Sequence, residues 1–223
     1  MWTLALAFFV LAAGIGLRWL PRRTDTLGRR RPFPWISVTV SVLAGCVALA
    51  PWVLRIRLEH RLSDAASAVV GSRVEVHCQT FGEAFVDTGA EFGYVPFGPD
   101  GVPALNTVIK REQCGDLAAY LRSDKTSPSH DQVVAVHVLT HESIHMSGET
   151  NESITECLAV QRDIEMAKLL GAGAAGAHAL ARTYWETVYP HMPDGYRSDE
   201  CGPGLALDLG LSDPPWPLVE ASS

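Results

Sequence analysis

The chain has 223 residues, enough for one domain of ordinary size with length left for anchors or tails, and too few for two full catalytic domains. Its net charge of −7 is unevenly spread: residues 1–61 hold nine arginines against Asp25 and Glu59, a charge of +7, and the rest holds nine basic against 23 acidic residues, a charge of −14. That asymmetry excludes a simple cytosolic globule and makes the acidic part a poor nucleic-acid binder, while the composition excludes intrinsic disorder and collagen-like or coiled-coil structure.

Two apolar runs come first. Residues 2–17 carry no charge, and the run continues through Arg18, Trp19 and Leu20 to Pro21. Residues 34–54 hold no ionisable side chain other than Cys46, a length that matches the roughly 20 residues a helix needs to cross a bilayer. Trp2, Trp19, Trp35 and Trp52 stand near the run ends, where indoles favour the membrane interface. The expectation is a transmembrane helix over 1–21, a basic loop over 22–33 and a second transmembrane helix over 34–56. Arg22, Arg23, Arg29, Arg30 and Arg31 crowd the loop, so the positive-inside bias predicts a cytoplasmic loop, with both termini and all that follows the second helix extracytoplasmic. Arg55, Arg57 and Arg61 pull mildly the other way.

Beyond the second run, residues 57–72 read as a helical stem and 73–223 as the soluble domain. Strands are expected over 74–78 and 104–109, with the Gly- and aromatic-rich stretch 81–100 forming strands or loops. Helices are expected over 112–121, from an Asp131 N-cap to Gly148, over 151–170, and over 174–189; a Pro- and Gly-rich tail follows. Cys78, Cys114, Cys157 and Cys201 all lie in this part, an even number in a compartment that permits disulfides. Of the three possible pairings, Cys78 with Cys114 and Cys157 with Cys201 are favoured, because each ties a strand or loop to a helix.

On the largely apolar helix stands His141-Glu142-Ser143-Ile144-His145. The i, i+4 spacing puts both imidazoles on one helical face within reach of a single zinc ion, with Glu142 beside the open coordination position. Helical rise separates His137 from His145 by about 12 Å, which assigns His137 a buried or supporting role rather than a share in the same ion. His77, His130, His178 and His191 carry no spacing signal.

A catalytic zinc needs a third protein ligand. The stretch Asn151-Glu152-Ser153-Ile154-Thr155-Glu156, following an HExxH, resembles the NExxSD-like second motif of the gluzincin branch of the zincin metallopeptidases, with Glu in place of the final Asp. By that resemblance Glu152 is the third ligand and Glu156 hydrogen-bonds His141; Glu156 stays open as the alternative ligand. Two features depart from known patterns. Only six residues separate His145 from Glu152, far fewer than gluzincins have, and the span also resembles the metzincin HExxHxxGxxH, with Gly148 at the turn but Asn151 where the third histidine belongs. The tail's Tyr189, His191, Tyr196 and Arg197 form a polar cluster, with Tyr196 and His191 as possible oxyanion donors.

The fold class expected is therefore α+β: an N-terminal two-helix transmembrane hairpin followed by a small, mainly helical zincin-like domain with a short β-sheet. The resemblance implies a membrane-anchored, zinc-dependent metallopeptidase in which Glu142 is the general base, with a peptide or protein substrate, the lipid bilayer as the other partner and no nucleic acid. The rival expectation is a non-catalytic envelope protein with a structural or sensory zinc site, and behind it a membrane-interaction protein without a metal.

Overall fold

A computed structural model describes residues 2–25, 28–85, 89 and 91–217. The chain divides into two compact units, residues 1–57 and residues 58–223, and each is taken by itself.

In the first unit, α1 (Trp2–Trp19) and the start of α2 (Trp35–Val70) are both long and apolar enough to cross a membrane. Only Ala5 and Ala12 of α1 are buried, while Trp2, Leu6, Val10, Ile36, Val40 and Val47 are exposed. Gly45 of α2 meets the Phe9 ring of α1, so that a β-carbon there would lie 3.0 Å from the ring. Between the helices, Thr24 and Arg30 form an isolated antiparallel bridge, and the Trp19 indole N–H donates to the Pro32 carbonyl.

The second unit begins inside α2, which runs without interruption to Val70 and carries Pro51 within it. The stem is not a separate piece: Leu62, Ala65 and Ala66 belong to the core of the second unit. Strand β1 (Glu75–Cys78) is parallel to β3 (Asn106–Ile109), and β2 (Gly93–Tyr94) is antiparallel to β3, giving a sheet of order β1-β3-β2. The 81–100 stretch supplies only a single helical turn, α3 (Phe81–Ala84), and β2, the rest of its described part being irregular. Thr80 and Glu83 form a capping box on α3.

The remaining core is helical: α4 (Arg111–Arg122), α5 (His130–Met146), α6 (Glu152–Leu169) and α7 (Ala174–Thr187). The N-cap of α5 is Ser129, not Asp131. Its hydroxyl accepts from the Gln132 N–H while the Gln132 side chain accepts from the Ser129 N–H, a reciprocal box that leaves Asp131 in the first turn, where a carboxylate suits the helix dipole. Leu139 and Ile144 are buried with nearly every neighbour from Val133 to Met146, so α5 is the central helix of the unit. It ends at Gly148, whose φ of 113° lies in the left-handed range that glycine adopts without strain. Two disulfides, Cys78–Cys114 and Cys157–Cys201, pair as expected; the first ties β1 to α4 and the second ties α6 to the tail. Gln161 adds to the second tie by donating to the Leu207 carbonyl and accepting from the Leu209 N–H. The last helix stops two residues short of expectation, and Tyr189–His191 form a 3-10 turn.

Candidate metal centre

Two helices joined by a five-residue reversal build the site. Gly148 lets the chain leave α5, and Asn151 starts α6 by accepting from the Ser153 and Ile154 N–H groups. The asparagine that stands where a metzincin has a histidine is therefore a helix cap, a role its short side-chain oxygen suits. Glu152 falls in the first turn of α6, facing the end of α5.

His141 Nε2 and His145 Nε2 lie 3.0 Å apart. Glu152 Oε2 lies 3.2 Å from the first and 3.4 Å from the second. The three atoms form a nearly equilateral triangle that could hold a metal ion. Each imidazole is fixed from behind. His141 Nδ1 donates to Glu156 Oε2 at 2.9 Å, and His145 Nδ1 donates to the Glu149 carbonyl at 2.8 Å, which turns both Nε2 atoms toward the centre. Both histidines are buried, whereas the Glu152 side chain is 46% exposed and forms the open side. Hydrogen bonds from His141 and then His145 hold the Glu152 carboxyl down at about 2.

Glu142 stands beside the triangle, buried, with Oε2 lacking a hydrogen-bond partner among the described residues. Burial pushes its carboxyl up to about 7, against the opposing pull of His141 and His145. Its neighbour on the sheet side is Gly93, where an added β-carbon would lie 3.2 Å from Glu142 Cγ and Oε1.

Behind the triangle runs a buried polar chain. Glu156 Oε2 also accepts from His137 Nε2 at 3.0 Å, Glu156 Oε1 accepts from the Tyr184 hydroxyl at 2.6 Å, and His137 Nδ1 bonds Asp163 Oδ2 at 2.8 Å. Burial alone would push the His137 imidazolium down, but the Glu156 and Asp163 carboxyls outweigh it and raise the group to about 10. Against burial, His137 and then His141 hold Glu156 well below the usual carboxylate range. His137 stacks on the Tyr184 ring, centroids 3.5 Å apart. His137, His141 and Glu156 form a second group close enough to share an ion. Their contacts are those of a hydrogen-bond chain that continues to Tyr184 and ends at Asp163, whose Oδ1 is buried without a hydrogen-bond partner among the described residues.

A cleft of about 640 Å³ opens over these residues, lined by His141, His145, Glu142 and Glu152, by β2 with Phe92 and Val95, and by Tyr196 of the tail. Tyr196 sits with its ring 6.0 Å from that of His141. Burial, then Glu152 and other carboxylates, raises its hydroxyl. The rest of the expected polar cluster stays away. His191 is exposed on the turn after α7 and does not line the cleft, Tyr189 is buried with its hydroxyl accepting from the Ser198 N–H, and Arg197 pairs with Asp194. His77 lies against Glu59 and Glu83 on the surface, and His178 pairs with Asp213.

Three members of the site carried no flag in the sequence. Asp163 is two helical turns beyond Glu156 on the same face of α6, a spacing that could have marked it. Gly93 and Tyr184 had no local signal, since each acts through a packing contact far away in the chain. Against family models, curated proteins and solved structures, the chain finds no match.

Proposed function

We propose that this chain is a membrane-anchored zinc metallopeptidase of the small zincin type, held by α1 and the start of α2 in the bilayer, with the arginine-rich loop cytoplasmic and the second unit outside. One observation carries the reading: two imidazole nitrogens and a carboxylate oxygen converge at 3.0, 3.2 and 3.4 Å beside a buried carboxyl with an unpartnered oxygen. Tetrahedral zinc, with bonds of about 2.0–2.2 Å, spaces its ligand atoms by roughly 3.3 Å, so the donor set fits zinc without rearrangement. His141, His145 and Glu152 would hold the ion. Two disulfides in the second unit favour an oxidising compartment. A structural zinc site has no use for a base at its edge and closes its fourth position with another ligand, which speaks against the non-catalytic reading.

Zinc supplies Lewis acidity there, acidifying water and polarising a carbonyl. The protein does the rest. β2 is an edge strand of the sheet and lines the cleft, so an extended peptide can lie along it with its scissile carbonyl toward the donor triangle. Glu142, at a pKa of about 7, takes the proton of the attacking water and returns it to the departing amine nitrogen, leaving a carboxylic acid and an amine. Tyr196, whose hydroxyl stays protonated at neutral pH, donates to the developing oxyanion.

The full chain, purified in detergent micelles, tests this directly. Glu142→Gln keeps zinc and fold and loses turnover by orders of magnitude. Glu152→Gln loses the metal, and Glu156→Gln weakens zinc roughly 10- to 100-fold. Intact hydrolysis by Glu142→Gln refutes the catalytic reading. A parent-like zinc affinity in Glu152→Gln together with metal loss in Glu156→Gln moves the third ligand one helical turn.

A further inference from the structure

The cleft continues past the metal triangle toward the start of α5, and its character changes there. Val134 and Val138 form an apolar floor on the His141 face of α5. Above that floor stand Glu112 and Asp116 from α4 and Asp131 from α5. None of the three carboxylates forms an ion pair among the described residues, and no lysine or arginine among them lines the cleft. The carboxylates repel one another: burial, then Asp131, then Glu112, pushes the Asp116 carboxyl up.

A second observation is independent of charge. Gln113, between Glu112 and Cys114 on α4, is 8% exposed and lines this end of the cleft, yet its carboxamide has no hydrogen-bond partner among the described residues. Its polar end is not sealed from solvent and lines the cleft, where a bound polar group can pair with it. An apolar floor, three carboxylates without an ion pair and an unpartnered carboxamide together match a long aliphatic side chain ending in a cation.

Resting on the metallopeptidase reading, we propose that this end of the cleft is a specificity subsite that takes a lysine or arginine side chain of the substrate. The helical rise from His141 back to Val134 and Asp131 is about 10–15 Å. At about 3.3 Å per residue of extended peptide, and allowing for the reach of the side chain itself, the cationic residue lies roughly two to four positions from the scissile bond. The aliphatic stem packs on Val134 and Val138 while its head meets Asp116, flanked by Glu112 and Asp131, with Gln113 accepting from it.

The test uses the zinc-loaded full chain in micelles and internally quenched peptides that differ only in lysine, norleucine or glutamate at one position, scanned four residues to either side of the cleaved bond. At one position lysine is expected to exceed norleucine roughly tenfold in kcat/KM, the size that a few partly exposed charge contacts produce, with glutamate the poorest. Asp116→Asn, and more fully Asp116→Asn with Glu112→Gln and Asp131→Asn, bring the lysine-to-norleucine ratio toward one; circular dichroism verifies that the variants are folded. The same peptides, fluorescently labelled, are titrated by anisotropy onto zinc-loaded Glu142→Gln with and without Asp116→Asn. Cleavage with no lysine preference at any position overturns the subsite and leaves the peptidase reading standing. Lysine-selective binding that Asp116→Asn abolishes, without hydrolysis of any peptide by the parent, upholds the subsite and overturns the peptidase reading. Calcium that displaces the lysine peptide competitively at low millimolar concentration overturns the assignment to a side chain in favour of a metal.

Discussion

Gly93 and Glu142 meet across the edge of the sheet: an added β-carbon at Gly93 would stand 3.2 Å from the Glu142 carboxyl oxygen and 3.0 Å from Ile109 Cδ1. Any side chain at this position of β2 would thus press on the group proposed as the base. Gly93→Ala shifts the Glu142 side chain by tenths of an ångström, and Gly93→Val displaces it further. Overpacking of this kind costs about 1–3 kcal/mol. The expected pattern is retained zinc, a graded fall in kcat from alanine to valine, and little change in KM. Loss of zinc in step with activity would mean that Gly93 supports the ligands instead.

His137 bonds two buried carboxyls, Glu156 at 3.0 Å and Asp163 at 2.8 Å, the second of which burial pushes up. Replacing it by leucine leaves both without their partner, and the loss of one partner from such a buried set costs about 3–5 kcal/mol. Adding Asp163→Asn to His137→Leu should restore part of that loss, because a buried carboxyl left without its partner gives way to a neutral amide. Denaturant unfolding of the four forms, arranged as a double-mutant cycle, measures the coupling. Additive effects would show that the His137–Asp163 contact contributes nothing of its own.

Each disulfide closes a long loop, with sequence separations of 36 and 44 residues. Chain-entropy arguments put the stabilisation at about 3–4 kcal/mol for each. Non-reducing peptide mapping should recover Cys78 joined to Cys114 and Cys157 joined to Cys201, and Cys201→Ser should release the tail to proteolysis while sparing the helices. Alkylation of Cys78, Cys114, Cys157 and Cys201 alongside the free Cys46 in protein isolated without reductant would remove both the bonds and the compartment argument built on them.

Topology has its own readout. Protease added to right-side-out membrane vesicles is expected to digest the second unit and leave the 22–33 loop intact; inverted vesicles should show the reverse. Protection of the second unit in right-side-out vesicles would place it in the cytoplasm.

Glu83 gives a pH dependence away from the metal centre. The Thr80 backbone N–H and hydroxyl hold its carboxyl down at about 2 against a usual 4.5. A depressed carboxylate contributes its stability above the unfolded value and loses it as pH falls from 4.5 through 2. The difference in melting temperature between the parent and Glu83→Ala should be present at pH 7 and shrink across that window. Because the group is exposed, the effect is small and salt-sensitive. An unchanged difference at pH 2 would show that the box does not depend on the charge.

Much of the architecture was legible because its signals are local. The two apolar runs, the HExxH face of α5 and the Gly148 stop are each written within a few residues. Asp131 and Ser129 both satisfy the composition rule for the α5 cap, and only the reciprocal partner Gln132 distinguishes them. The polarity shift at residue 57 reads as a boundary, whereas Leu62, Ala65 and Ala66 are apolar at helical spacing and join the core. Tyr184, Gly93 and the cleft end at Asp116 could not be read in advance, since each depends on which distant helix or strand packs opposite.

The metal triangle and its supporting Glu156 all come from a single helix-reversal-helix stretch, residues 141–156. Closing so short a loop costs little chain entropy, so this hairpin can assemble as soon as α6 has been synthesised, before the tail exists. Everything that arrives later in the chain, from Tyr184 through Tyr196 to Cys201, adds the rear support, the cleft wall and the covalent tie. The donors that could hold an ion thus come first in the chain and the wall of the cleft comes last, so a chain truncated after α6 would keep the donor triangle and lack the Tyr196 wall.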